Sequence, residues 1–155
     1  MVRAFEAAKE ELGYKSKDGI AKYFKELFPE EHPMPWCLPF IEWVFAKAYG
    51  KAQAEHMLCM ENGFVYSVPA FLSLVKQKNR FYRRAVDPGW LVLLRTRKEW
   101  TNHVELVTEV TDEWVKTIGG NCCGEVKINT YRRDDPRISG YVKIIYRMEA
   151  SECTA

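Results

Sequence analysis

The sequence predicts an α+β fold in which N-terminal helices pack on a C-terminal antiparallel β-sheet. Two patterns support this fold class. Apolar residues recur at helical spacing through the first half of the chain, and β-rich runs separated by turn residues follow residue 89. Helices followed by strands are typical of α+β proteins. With 155 residues, 47% of them hydrophobic, the chain is long enough to form one domain, residues 1–155, with its own core.

The helical half divides at glycine and proline residues. Ala4, Phe5, Ala8 and Leu12 lie at helical spacing, and Gly13 follows them as a natural stop. The third helix is apolar nearly all round, which is typical of a helix buried in the core. The predicted helices cover residues 3–12, a segment capped by Ser16 and closed by Pro29, residues 37–49, about 51–60 and about 68–79.

The second half contains five runs rich in β-branched and aromatic residues. A turn at Asp87-Pro88-Gly89 joins the halves within one domain. The predicted strands lie in "WLVLLRT" (90–96), "HVELVTEV" (103–110), "EWVKTIG" (113–119), "GEVKINTYR" (124–132) and "ISGYVKIIY" (138–146).

Charge and composition exclude several kinds of partner. The formal net charge of +2 predicts no nucleic-acid partner, and no apolar run is long enough to predict membrane insertion. The charged N-terminus lacks the apolar core of a secretory signal, so we expect synthesis in the cytoplasm.

The basic run at 76–84 is interpreted as a solvated helix end. Five cysteines without regular spacing predict neither a disulfide framework nor a metal site, and we expect no cofactor.

Cys37 is the candidate nucleophile. It opens the apolar third helix, where unpaired N–H groups stabilise a thiolate and can stabilise an oxyanion. Trp36, directly before it, is expected to wall the cleft. The alternative is that Cys37 packs in the core, since free cysteine is among the most buried residue types.

His103 is the candidate base, because a thiol nucleophile needs a base of suitable pKa and imidazole is the usual choice. It opens a strand on which it shares a face with Glu105. His32 lies in a proline-rich loop and His56 on a polar helical stretch, so neither is held by a strand. Asn121 is the sole amide or carboxylate in "TIGGNCCG" and is the candidate to orient the imidazole. The alternative for Asn121 is an ordinary turn residue.

Five segments in order resemble the CHAP-type amidohydrolases, a branch of the papain-like NlpC/CHAP cysteine peptidases that cut bacterial peptidoglycan. The resemblance runs from the nucleophile helix to the last strand. The segments are "PWCLPFIEWVFAKAYG", "DPGWLVLLRTR", "NHVELVTEV", "WVKTIGGN" and "ISGYVKIIY". It implies a papain-like fold in which Cys37 attacks an amide carbonyl, His103 transfers the proton and Asn121 matches the loop asparagine of the family.

The chain departs from the family pattern at three positions. Gly119 stands where the family commonly has an acid, and Glu105 replaces the usual glycine two residues after the histidine. Because Glu105 shares a strand face with His103, it either supplies the missing carboxylate or crowds the cleft. Trp90 replaces an acid often found after Pro-Gly. Some relatives bind calcium through an Asp-rich loop before the cysteine, and this region contains just Asp18, so we expect no metal.

The resemblance implies a cysteine amidase or endopeptidase that acts on the peptide part of peptidoglycan through a thioacyl-enzyme. We expect such an enzyme to be made in the cytoplasm and to act at the cell wall after release or delivery, as a phage or prophage lysin domain, a delivered antibacterial effector or a fragment of a larger hydrolase. Two alternatives remain open: a papain-like peptidase or toxin that cuts a protein amide, and a degenerate domain that binds wall peptide without cutting it. The sequence leaves the oligomeric state and any redox role of Cys122 and Cys123 undetermined.

Overall fold

The structure is a computed structural model of the chain and describes residues 1–17, 19–29 and 34–146. His32 and part of its proline-rich loop lie outside the described residues, as do Asp18 and Cys153. None of the helices in the described part is both long and apolar enough to cross a membrane.

Within the residues that the structure describes, five helices occupy the first half of the chain. The third begins at Cys37 with Pro39 in its first turn, where a missing N–H costs no intrahelical hydrogen bond. It ends at Tyr49, and Gly50 follows with a φ of 86° as its C-cap. The helices are α1 (Val2–Glu10), α2 (Lys22–Leu27), α3 (Cys37–Tyr49), α4 (Lys51–Met57) and α5 (Val68–Gln77).

The second half forms one antiparallel sheet of six strands in the order β1-β6-β2-β3-β4-β5. The strands are β1 (Phe81–Tyr82), β2 (Leu91–Leu94), β3 (His103–Val110), β4 (Trp114–Gly119), β5 (Lys127–Arg132) and β6 (Ile138–Val142). This arrangement confirms the predicted α+β class, with helices first and an antiparallel sheet after them.

Helix α3 lies in the centre of the core and packs against β3, β4 and the three helices α1, α2 and α4. Alternation along β3 directs Val104 and Leu106 into this main core, whereas Val107 joins a smaller apolar cluster on the other face of the sheet. His103 and Glu105 belong to that second face. The first residues of β3 therefore lie at the end of the sheet beside the N-terminus of α3.

Two local predictions are wrong. Ser16 does not cap the second helix, which begins at Lys22 after Ala21, because the preceding residues Lys15 and Lys17 form isolated β-bridges instead. In the basic run at 76–84, the first residues form the end of helix α5. The run continues into β1, whose Phe81 pairs with Val142 of β6.

Candidate active site

Cys37 is held at the first turn of α3, beside the loop that leads into β3. Its residue is 3% exposed, and its thiol lies 3.8 Å from the backbone carbonyl oxygen of Asn102, to which it donates. Cys37 nevertheless lines a cleft of about 390 Å³ that His103 and Asn121 also line. The thiol is therefore packed on one side and faces a space large enough for a short peptide on the other.

The first turn of α3 leaves backbone donors beside the thiol. The N–H of Phe40 donates to the carbonyl oxygen of Trp36 at 3.0 Å, and Pro39 has no N–H. The N–H groups of Cys37 and Leu38 have no acceptor within the residues that the structure describes. Such donors at a helix N-terminus can stabilise negative charge on an oxygen formed next to the sulfur.

His103 is anchored through one ring nitrogen. Its Nε2 lies 3.3 Å from Oε2 of Glu105 and 3.7 Å from Sγ of Cys122. Nδ1 is thus the nitrogen left to interact with the Cys37 thiol. Burial disfavours the protonated ring, but hydrogen bonds to Cys122, Cys37 and Glu105 outweigh it and raise the pKa of His103 well above its ordinary value.

Glu105 is a fully buried carboxylate whose oxygens are hydrogen-bonded on every side. Oε1 accepts from the Thr117 hydroxyl at 3.0 Å and from the Asn129 amide at 2.7 Å. Oε2 accepts from the Tyr131 hydroxyl as well as from His103. Burial raises the pKa of the carboxyl, but the hydrogen bonds and charge of His103, Tyr131 and Asn129 more than offset this, so the pKa of Glu105 lies below its usual value.

Gly119 provides the space that Glu105 occupies. A Cβ atom at position 119 would lie 2.4 Å from Cγ and 2.5 Å from Oε1 of Glu105. The residues at positions 105 and 119 therefore depend on each other. Glu105 supplies a carboxylate from β3, and Gly119, opposite it on β4, leaves the space for it. Of the two roles considered for Glu105, the structure supports supply of the missing carboxylate.

Asn102 fixes the loop beside Cys37 and at the start of β3. Its side-chain oxygen accepts from the N–H of Thr96 at 2.7 Å, and its amide donates to the carbonyl oxygen of Thr96 at 3.0 Å. Its own N–H donates to Leu94 on β2 at 3.0 Å. The carbonyl that accepts from Cys37 and the start of β3 are thereby tied to one rigid turn.

Asn121 and Trp36 have different surroundings from those predicted. Asn121 lines the cleft with a φ of 55°, but no hydrogen bond joins its side chain to His103 in the described part of the chain. The role of Asn121 stays a prediction. Trp36 is 1% exposed and packs among Tyr14, Tyr23 and Gly120 instead of walling the cleft, because its ring points into the aromatic core.

Four residues of the site were not predicted from the sequence. Cys122 contacts the imidazole, and three side chains bind Glu105: Thr117, Asn129 and Tyr131. Asn129 and Tyr131 are two residues apart and share one face of β5, which is a detectable pattern. Their relation to Glu105 depends on strand order, because β4 lies between β5 and β3.

No protein-family model matches the chain, and no curated protein is similar to it in sequence. The likeness to CHAP-type amidohydrolases therefore rests on the motifs in the sequence, and the chemistry must be argued from the site itself.

Proposed function

We propose that the protein is a cysteine hydrolase that cleaves amide bonds in the peptide part of bacterial peptidoglycan. The observation that carries this proposal is the meeting of Cys37 and His103 at one cleft, with Glu105 buried behind the imidazole. Thiol, imidazole and carboxylate in this order form the arrangement required for nucleophilic catalysis. The peptidoglycan substrate and action at the cell wall are inferred from the resemblance of the motifs.

In the proposed reaction, Cys37 has already given its proton to Nδ1 of His103, whose raised pKa favours this ion pair, and the Sγ thiolate attacks the carbonyl carbon of the amide. The oxygen of the tetrahedral intermediate accepts hydrogen bonds from the free N–H groups of Cys37 and Leu38. His103 returns the proton to the leaving amine, and a thioester remains on Cys37. Water, deprotonated by His103, then attacks the thioester and releases the acid product with the thiol.

The lining of the cleft suits a short, partly apolar peptide that carries negative charge. Tyr66 and Trp100 are 46% and 56% exposed, and with Pro69 they form an apolar side of the cleft. Lys98 also lines it, with its ammonium 5.3 Å from the centre of the Trp100 ring. A wall peptide offers both small apolar side chains and carboxylates to such a surface.

The test is digestion of purified peptidoglycan, with soluble products identified by mass spectrometry. Walls with different peptide cross-bridges are used, because the bond that is cut is unknown. Cys37→Ser is the test variant, and Cys59→Ser is its control because Cys59 is buried at the end of α4, outside the residues that line the cleft. Circular dichroism compares the folding of all three proteins.

We expect soluble fragments with one newly formed amine and one newly formed carboxyl group, produced by the wild type and by Cys59→Ser. Cys37→Ser should fall to the level of buffer. Release of the same fragments by Cys37→Ser would overturn the mechanism. Failure of the wild type on every wall, or cleavage of protein substrates instead, would overturn the proposed substrate.

A further inference from the structure

We propose that His103, Glu105 and Cys122 bind one Zn²⁺ ion on the side of the imidazole opposite Cys37. Nε2 of His103, a carboxylate oxygen of Glu105 and Sγ of Cys122 all lie within 4.8 Å of one another. They are one imidazole nitrogen, one carboxylate oxygen and one thiolate sulfur, a mixture that suits Zn²⁺. This site departs from the expectation of no metal, which was based on the irregular spacing of the cysteines and on the lack of an Asp-rich loop before Cys37.

The two distances from Nε2 of His103 are close to the edges of a zinc tetrahedron. Zn²⁺ binds nitrogen and oxygen at about 2.0–2.1 Å and sulfur at about 2.3 Å, so neighbouring ligand atoms lie about 3.3–3.5 Å apart. In the structure, Nε2 of His103 lies 3.3 Å from Oε2 of Glu105 and 3.7 Å from Sγ of Cys122. Sγ lies 3.9 Å from Oε1 of Glu105. Nε2 therefore approaches Oε2 and Sγ approaches Oε1, so an ion between them would bind both oxygens of the carboxylate or draw one oxygen toward the other two ligands.

The surroundings already hold the ligands in place. Glu105 accepts hydrogen bonds from Thr117, Asn129 and Tyr131. These bonds would hold the carboxylate in its present orientation when His103 binds the ion and no longer donates to Glu105. The Asn129 amide also lies 3.4 Å from Sγ of Cys122. These partners orient the carboxylate and the sulfur, as the second coordination shell does in zinc sites.

An ion can reach the site without crossing the core. His103 and Cys122 line a second cleft of about 380 Å³, which adjoins the cleft that contains Cys37 and shares Thr96, His103 and Asn121 with it. This cleft leaves space for water as a fourth ligand. Arg97 and Lys127 also line it and oppose a cation, but Lys127 is paired with Glu125 at 3.8 Å.

Coordination replaces the protons on Nε2 of His103 and on Sγ of Cys122, which pass to solvent. It also replaces the hydrogen bond between His103 and Glu105. If the proposed function holds, Zn²⁺ would inhibit hydrolysis, because an imidazole that binds the ion through Nε2 keeps its one proton on Nδ1 and cannot accept another from Cys37 or from water. The binding itself does not depend on that function.

The test is titration of the purified protein with Zn²⁺ against a chromogenic chelator, which reports the number of ions bound and their affinity. Cys122→Ser removes one ligand with little change in shape. Cys123→Ser is the matched control, because this exposed neighbouring thiol makes no contact with His103 among those the structure gives. Cys37→Ser shows whether the catalytic thiol is a ligand. Co²⁺ is added separately, since a thiolate ligand produces a charge-transfer band in the near ultraviolet.

We expect one Zn²⁺ per chain, a loss of affinity of at least about 100-fold in Cys122→Ser, and unchanged binding in Cys123→Ser and Cys37→Ser. The Co²⁺ band should disappear in Cys122→Ser alone. Absence of stoichiometric binding by the wild type, or equal binding by wild type and Cys122→Ser, would overturn the proposal. So would loss of binding in Cys37→Ser. Since none of these readouts uses hydrolysis, failure of the zinc site and failure of the hydrolase are distinguished.

Discussion

Glu105 and Gly119 face each other across β3 and β4 so closely that a single added carbon at position 119 would lie 2.4 Å from Cγ of Glu105. The buried carboxylate beside His103 thus depends on the absence of a side chain on the neighbouring strand. The two residues act as one unit.

Gly119→Ala is therefore expected to displace Glu105 and to misalign the imidazole. Overpacking of a buried site costs about 1–3 kcal/mol, and catalysis should fall further than stability does. Urea unfolding and the rate of amide cleavage are measured together. Normal cleavage by a folded Gly119→Ala protein would show that Glu105 does not orient His103.

The carboxylate should also be transferable from one strand to the other. Glu105→Gly alone removes the partner of His103 and should abolish most cleavage. Adding Gly119→Glu to that variant places a carboxylate in the vacated space and should restore part of the lost rate. The double variant is compared with each single variant in the same cleavage assay. If the double variant is no more active than Glu105→Gly, a carboxylate at position 119 cannot replace the one at position 105.

Substitutions of Glu105 and Asn121, the two candidate partners of the imidazole, are expected to lower kcat/KM by different amounts. Glu105→Gln should lower kcat/KM on the order of 10²-fold or more, because His103 loses its charged partner. Asn121→Gly should change it less than about tenfold, since no hydrogen bond to His103 is lost and glycine accepts the positive φ at this position. A larger loss in Asn121→Gly than in Glu105→Gln would assign the orienting role to Asn121.

Glu42 makes the fold sensitive to pH. It is fully buried in α3, and neither carboxyl oxygen has a hydrogen-bond partner within the described residues. Burial, with a smaller contribution from Cys37, raises the pKa of Glu42 from 4.5 to about 10. The folded state therefore holds a proton that the unfolded state releases, and stability should fall as pH rises between these two values.

Urea unfolding from pH 5 to pH 9 tests this effect. The wild type should lose up to about 1.4 kcal/mol per pH unit, whereas Glu42→Gln should remove this slope. Glu6→Gln is the control, because Glu6 is an exposed residue on α1. A wild-type slope that persists in Glu42→Gln would assign the pH dependence to another group.

The elements that carry Cys37 and His103 were predictable because their patterns are local. Cys37–Tyr49 and His103–Val110 agree with the structure residue for residue, since an apolar helix between Pro35 and Gly50 and an alternating strand are each defined by their own sequence. β1 was missed because two residues in a basic run carry too little periodicity to indicate a strand.

The rest of the site was not predictable because it depends on register. The proximity of Glu105 to Gly119 and the bonds from Asn129 and Tyr131 arise when three strands align, which no single segment specifies. Cys122 lay in a turn whose path decides whether its sulfur reaches His103. The sequence suggested the nucleophile and base, and tertiary packing determined their partners.

The most direct test of the central claim is the rate at which iodoacetamide alkylates each cysteine near neutral pH, measured by peptide mapping in wild type and His103→Ala. If Cys37 gives its proton to His103, it should react at least about tenfold faster than the exposed thiol of Cys123, and His103→Ala should remove this advantage. If Cys37 reacts no faster than Cys123, or reacts equally fast without the imidazole, the two groups do not share a proton and the account is contradicted.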